Sequence, residues 1–81
     1  RFAYQALLYQ LTAKQKQLLI AIAQEGKPSS LMSQEFLQKY HLGASTVQGA
    51  VKILLDRDFI TQDEGVYQLC DKFLELSLRA G

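Results

Sequence analysis

A chain of 81 residues, 48% hydrophobic and 21% charged, has room for one small domain and too much apolar content for disorder. Nine Lys and Arg against eight Asp and Glu leave a net charge of +1, so bulk charge selects neither nucleic acid nor a membrane surface as partner. The longest apolar run, Leu18-Leu19-Ile20-Ala21-Ile22-Ala23, has six residues, far short of the ~20 that span a bilayer, and the lone Cys70 and lone His41 exclude an intrachain disulfide and a cysteine-rich zinc site.

Residues 1–10 hold Phe2, Leu7, Leu8 and Tyr9 with few charges and suit a helical extension from a preceding domain. The domain proper is expected over 11–81. Arg1-Phe2-Ala3-Tyr4 has neither Met nor a leader pattern, so the segment is expected to come from a longer, cytoplasmic protein. Thr12-Ala13-Lys14-Gln15 is a capping box that opens a helix running to about Glu25. Gly26 and Pro28 stop it. At 100° per residue Leu11, Leu18, Leu19 and Ile22 share a face. Lys16, Gln17 and Gln24 lie opposite, with Ile20 among them.

Pro28 to Met32 is a connector with room for a one- or two-residue strand. Ser33 is the expected N-cap of a two-turn helix that buries Phe36, Leu37 and Tyr40. His41-Leu42-Gly43 makes a tight turn, with Gly43 supplying backbone freedom. Ser45-Thr46-Val47-Gln48 reads as a second capping box, opening a helix to about Arg57 whose core stripe is Val47, Ala50, Val51 and Leu54. Phe59–Gln62 and Val66–Leu69 read as strands joined by the loop Asp63-Glu64-Gly65. Asp71 caps a last helix carrying Phe73, Leu74, Leu76 and Leu78. The expected core is Leu18, Leu19, Ile22, Phe36, Leu37, Leu42, Val47, Val51, Leu54, Ile60 and Tyr67.

The fold class is therefore mostly α with a small β-hairpin. Helix, helix, tight turn, helix, hairpin is the order of a winged helix-turn-helix, in which the helix of 45–57 is the one able to enter a major groove and the hairpin of 60–69 is the wing.

Several segments, in their order and spacing, carry a family resemblance. Leu11-Thr12, Gln15 and Leu18 to Ala23, then Ser33-Gln34-Glu35-Phe36-Leu37, resemble the C-terminal winged-helix domain of prokaryotic AAA+-like (STAND-type) ATPases. So do Leu42 with Ser45 to Val51, Leu54-Leu55 with Ile60, and the closing Tyr67 to Leu74. The chain departs from that pattern at Gly49, where the family often has a basic residue, at Lys72, which replaces a Pro, and at Ser77, where a Trp is common. The resemblance implies a parent that hydrolyses ATP with Mg in an upstream domain. No cofactor is expected in this segment. Gly26-Lys27 is the nearest approach to a phosphate loop, and Ala21 and Pro28 stand where a P-loop needs Gly and Ser or Thr.

No catalytic or metal-binding set emerges. His41 has no nucleophile or orienting acid near it in sequence and reads as a solvated turn residue. Cys70 reads as a small buried residue at a strand end. Asp63 and Glu64, adjacent at a hairpin tip, read as solvated acids that discourage edge pairing. The segment is therefore expected not to be an enzyme.

Two functions remain. An interaction module would use the face of Thr46, Gln48, Gly49, Lys52 and Asp56, with Ile20 as a further contact, against the parent's ATPase domain or a partner protein. A DNA-binding domain would use Lys39, Thr46, Gln48, Lys52 and Arg57, and could add Lys27. Useful DNA binders commonly neutralise ~6–10 phosphates. Two or three cations would leave DNA a weak partner, so the interaction module is preferred. A membrane partner is not expected.

Overall fold

The computed structural model describes residues 8–80, so most of the expected extension over 1–10 lies outside the described residues. Among the described residues from Ala13 onward, four helices and a hairpin follow in the order α1 (Ala13–Glu25), α2 (Gln34–Lys39), α3 (Ala44–Asp56), β1 (Ile60–Asp63), β2 (Val66–Leu69) and α4 (Lys72–Ala80).

The start of α1 is the expected capping box. The Gln15 amide N–H donates to Thr12 Oγ1 at 3.2 Å, and the Thr12 N–H donates to Gln15 Oε1 at 3.0 Å. Two orphan donors of the first turn are thereby satisfied. Gly26 ends the helix at φ 90°, its N–H donating to the Ile22 carbonyl at 3.0 Å.

The buried side of α1 is wider than the expected face. Leu18, Leu19 and Ile22 have no exposed surface, and neither do Ala21 and Ala23. The cause is that α1 packs against α3, α4 and β2 together, so one apolar stripe does not suffice. Gln17, expected opposite the core, is half-buried, and its side-chain Nε2 donates to the Tyr40 carbonyl at 2.8 Å. Ile20 is half-buried.

Ser33 caps α2 as expected, accepting from the Phe36 N–H at 3.2 Å. The turn after α2 differs from expectation. The left-handed residue is His41, at φ 56°, while Gly43 is extended at φ −94°, ψ 151°, a conformation open to any residue. Leu42 N–H donates to the Leu37 carbonyl and His41 N–H to the Gln38 carbonyl. This is the paired closure of a Schellman motif, with His41 in the place glycine usually takes. Arg57-Asp58-Phe59 repeats it after α3, with Asp58 at φ 62° and Phe59 N–H donating to the Leu54 carbonyl at 2.9 Å.

The second expected capping box does not form. α3 begins at Ala44 with Gly43 as N-cap, and no side chain caps it. Val47 N–H bonds the Gly43 carbonyl at 3.0 Å, which places Ser45 inside the first turn and its hydroxyl away from the cap position.

The wing closes on a two-residue turn rather than three. Asp63 belongs to β1 and pairs with Val66, leaving Glu64 (φ 52°) and Gly65 (φ 79°) as the turn. Positive φ at both central residues is the requirement of a type I′ hairpin, whose twist matches that of the strands. Phe59 precedes β1 as a buried core residue. The connector forms no strand, but it touches the wing: Tyr67 N–H donates to the Pro28 carbonyl at 2.9 Å. Asp71 caps α4 as expected, its Oδ1 accepting from Phe73 N–H at 2.9 Å and Leu74 N–H at 3.2 Å. Leu74 is buried, Leu78 half-buried, and Phe73 and Leu76 face outward.

One continuous core joins these elements. Of the expected core residues, Leu37, Val51 and Tyr67 are only partly buried, packed along its edge. Leu11, Leu31, Ala50, Phe59, Leu69 and Leu74 join it.

A polar cluster fastens α2 to the end of α1. Glu25 Oε2 accepts from Lys39 Nζ at 2.8 Å and from the Tyr40 hydroxyl at 2.6 Å. The Lys39 bond first, and the Tyr40 bond second, hold the Glu25 carboxyl below the usual carboxylate range. A carboxyl with a depressed folded pKa stabilises the fold above its unfolded value, and that contribution disappears as pH falls through the folded value. Wild type should therefore exceed Glu25→Gln in urea midpoint at about pH 6, and the gap should narrow as the pH falls below the usual carboxylate range. The effect is small because the pair is exposed. A gap that widens on acidification would contradict the assignment.

Candidate interaction surface on the third helix and the wing

Three elements converge beside α3: its outer face, the connector 29–32 and the wing. The core stripe of α3 turns Val47, Ala50 and Leu54 inward. The helical period then sets Gln48, Gly49, Lys52 and Asp56 outward, and all four are exposed. Thr46, in the first turn, is half-buried. Lys52 and Asp56 make no ion pair, although they are one turn apart. A Cβ placed on Gly49 would meet nothing within 4 Å, so no described part of the chain comes close to it. Gly49→Ala should therefore stabilise the domain by ~1 kcal/mol, the usual cost of a mid-helix glycine. An unchanged or lower urea midpoint would show that the position is sterically closed.

The cations nominated for DNA are not gathered on this face. Lys39 is held by Glu25 on the α1–α2 side. Arg57 Nη1 donates to the Gln10 carbonyl at 3.2 Å, tying the end of α3 to the chain entering the domain. Lys52 is left as the one cation on the exposed face of α3 among the described residues. The wing tip presents Asp63 and Glu64, both exposed and without an ion-pair partner among the described residues. Ile20 lies on α1, outside this face.

Between α3 and the wing is a cleft of about 320 Å³ lined by Leu31, Met32, Val47, Val51 and Tyr67, with Gln48, Gln62, Ser29 and Ser30 supplying polar groups. The hairpin register explains its far wall. Because the Tyr67 amide points outward to Pro28, the directly opposed pair Gln62 and Tyr67 is a non-hydrogen-bonded one, the kind that brings side chains closest. Met32, Gln62 and the half-buried faces of Val51 and Tyr67 were not among the residues nominated from the sequence. The period-2 pattern of the wing was a signal for the Gln62–Tyr67 pair, but it says nothing of the connector.

The reactive residues are dispersed. His41 is exposed in its turn. Cys70, expected to be buried, is exposed just past β2 because β2 ends at Leu69, the last residue of the strand to reach the core. Partial desolvation, and then the Asp58 carboxylate, push its thiol above the usual range, against thiolate formation. Among the described residues no group of His, Cys, Asp and Glu is arranged to hold a metal ion. No described helix is long and apolar enough to cross a membrane.

A family model described as a probable winged helix domain matches residues 2–80. Comparisons with curated proteins and with solved structures each found no match.

Proposed function

The chain belongs to this family of probable winged helix domains, and from that premise we propose that it is a protein-interaction module which docks through the outer face of α3 and the adjoining wing. A winged helix domain is generally non-catalytic; its fold serves DNA binding and protein interaction alike, so the choice falls to the surface. The observation that carries the proposal is the charge of that surface. The exposed face of α3 carries one lysine without an ion pair, and the wing tip carries two exposed acids and no cation, too little positive charge to hold a phosphate backbone. The open backbone at Gly49 supports the same reading, because a bare helix face lets another backbone approach closely.

The proposal extends to the setting. The resemblance to STAND-type ATPases supports an upstream domain of the same chain as the docking partner, with ATP and Mg held there, in a cytoplasmic protein. A separate partner protein is the other occupant of the same role.

Titration with duplex DNA at about 50 and about 200 mM salt tests the reading. With one or two phosphate contacts at ~0.9 each, log K against log[salt] should slope only about −1 to −2. Gln48→Ala and Lys52→Ala should change DNA binding hardly more than substitutions elsewhere on the surface. Gly49→Arg separates the functions by sign. It adds a phosphate-binding cation and strengthens DNA binding if α3 enters a groove. It weakens docking if α3 meets a protein, by placing a bulky charge in the contact. Sub-micromolar binding of wild type to one sequence at the higher salt would overturn the proposal in favour of DNA recognition.

A further inference from the structure

The side of α4 that faces away from the core joins two apolar side chains to two cations. Phe73 is 75% and Leu76 55% exposed, and they stand three residues apart, so they are neighbours on the helix surface. Lys72 lies four residues before Leu76 and Arg79 three after it, which sets both cations along one edge of the apolar pair. The Lys72 side chain is 74% exposed, with Glu75 Oε1 at 3.7 Å, and Arg79 has no ion pair among the described residues. Glu75, the one acid of the helix, is buried. The exposed side of α4 is therefore apolar along its middle and positive along an edge. The helix on which it packs, α1, adds Lys14 and Lys16 near its start and holds no acid before Glu25 at its end. The exposed acids Asp56, Asp58, Asp63 and Glu64 belong instead to the end of α3, the turn after it and the wing.

We propose that this side of α4 docks a helix of a protein partner, one whose apolar row is bordered by Asp or Glu. The surface shares no residue with the outer face of α3, so the inference goes beyond the function proposed above. Charge selects the border. Two exposed cations and no exposed acid on the helix attract carboxylates and repel ammonium and guanidinium groups. Relief selects a helix. Ser77 and Ala80, small and exposed, lie four and seven residues after Phe73, and they leave a shallow groove into which the ridge of a second helix packs. Leu74 and Leu78 hold α4 on the core, so the surface is formed before the partner arrives. A bilayer fits less well, because a helix anchored in this way can insert only Phe73 and Leu76.

Selection of a library of single-helix peptides, about 18 residues and five turns long, on the intact chain and on a Phe73→Ser, Leu76→Ser variant tests this. Both positions are exposed, so the variant should keep the wild-type urea midpoint. Helices recovered on wild type and lost on the variant should carry large apolar residues at helical spacing with Asp or Glu beside them. A synthetic peptide of that pattern should bind about tenfold more weakly to Phe73→Ser. It should bind about threefold or more weakly to Arg79→Glu, and less tightly at about 200 than at about 50 mM salt. Met32→Asn, in the cleft beside α3, should leave its binding unchanged. No helix lost on the variant, lost helices with basic or uncharged borders, or binding that depends on Met32 and not on Phe73 would each overturn the proposal. So would sedimentation of wild type but not the variant with phosphatidylserine vesicles, which would assign the surface to a membrane. Duplex DNA binding lost in Arg79→Glu would overturn it too, in favour of nucleic acid. The titration with Gly49→Arg judges the α3 reading separately, since none of these substitutions lies on the outer face of α3.

Discussion

Leu54→Ala should lower the unfolding free energy by ~2–5 kcal/mol, the range for deleting most of a buried leucine and leaving a cavity. Leu54 is fully buried in the last turn of α3, and its carbonyl accepts the Phe59 N–H that turns the chain toward the wing. The backbone bond survives the substitution, so the loss isolates the packing of α3 on α1 and β1. A domain of this size has about 4–12 kcal/mol in total, so the variant should show a much lower urea midpoint or no cooperative transition at all. A change within measurement error would mean that α3 does not turn this face inward.

Ala23→Leu should destabilise by ~1–3 kcal/mol for the opposite reason. Ala23 has no exposed surface, in the last turns of a helix packed against α3, α4 and β2. Added methylenes have no empty space to enter and must push a neighbour off its rotamer. Ala21, equally buried, is expected to respond in the same direction. Chemical denaturation would show the loss, and a stabilised Ala23→Leu would reveal an unfilled cavity beside α1.

These two residues mark what a sequence does and does not make readable. Leu54 is apolar, large and in phase with Val47 and Ala50, so periodicity alone turned it inward. Ala23 is small, and its burial depends on how closely three other elements approach α1. Caps divide similarly. Thr12, Ser33 and Asp71 bond amides two or three residues away and were readable from spacing. The Ser45 pattern had the same spacing and failed, because the chain leaving the α2 turn reaches helical geometry at Ala44. His41 bears the left-handed conformation that was expected to need Gly43, since the position of that residue is dictated by where α2 stops. The face of Gln48, Gly49, Lys52 and Asp56 followed from phase within one helix. The cleft beside it draws on three segments, joined at the bond between Tyr67 and Pro28, and no local pattern encodes that meeting.

The bond from Arg57 to the Gln10 carbonyl has a mechanical consequence. It clamps the entering chain to the far end of α3, and Leu8 packs on the core just before it. A tether fixed at two points transmits torque that a slack one absorbs. Removal of the guanidinium in Arg57→Ala leaves residues 8–11 held to the domain by the packing of Leu8 and Leu11 alone, so the stiffness of this entry rests on one side chain at the end of α3.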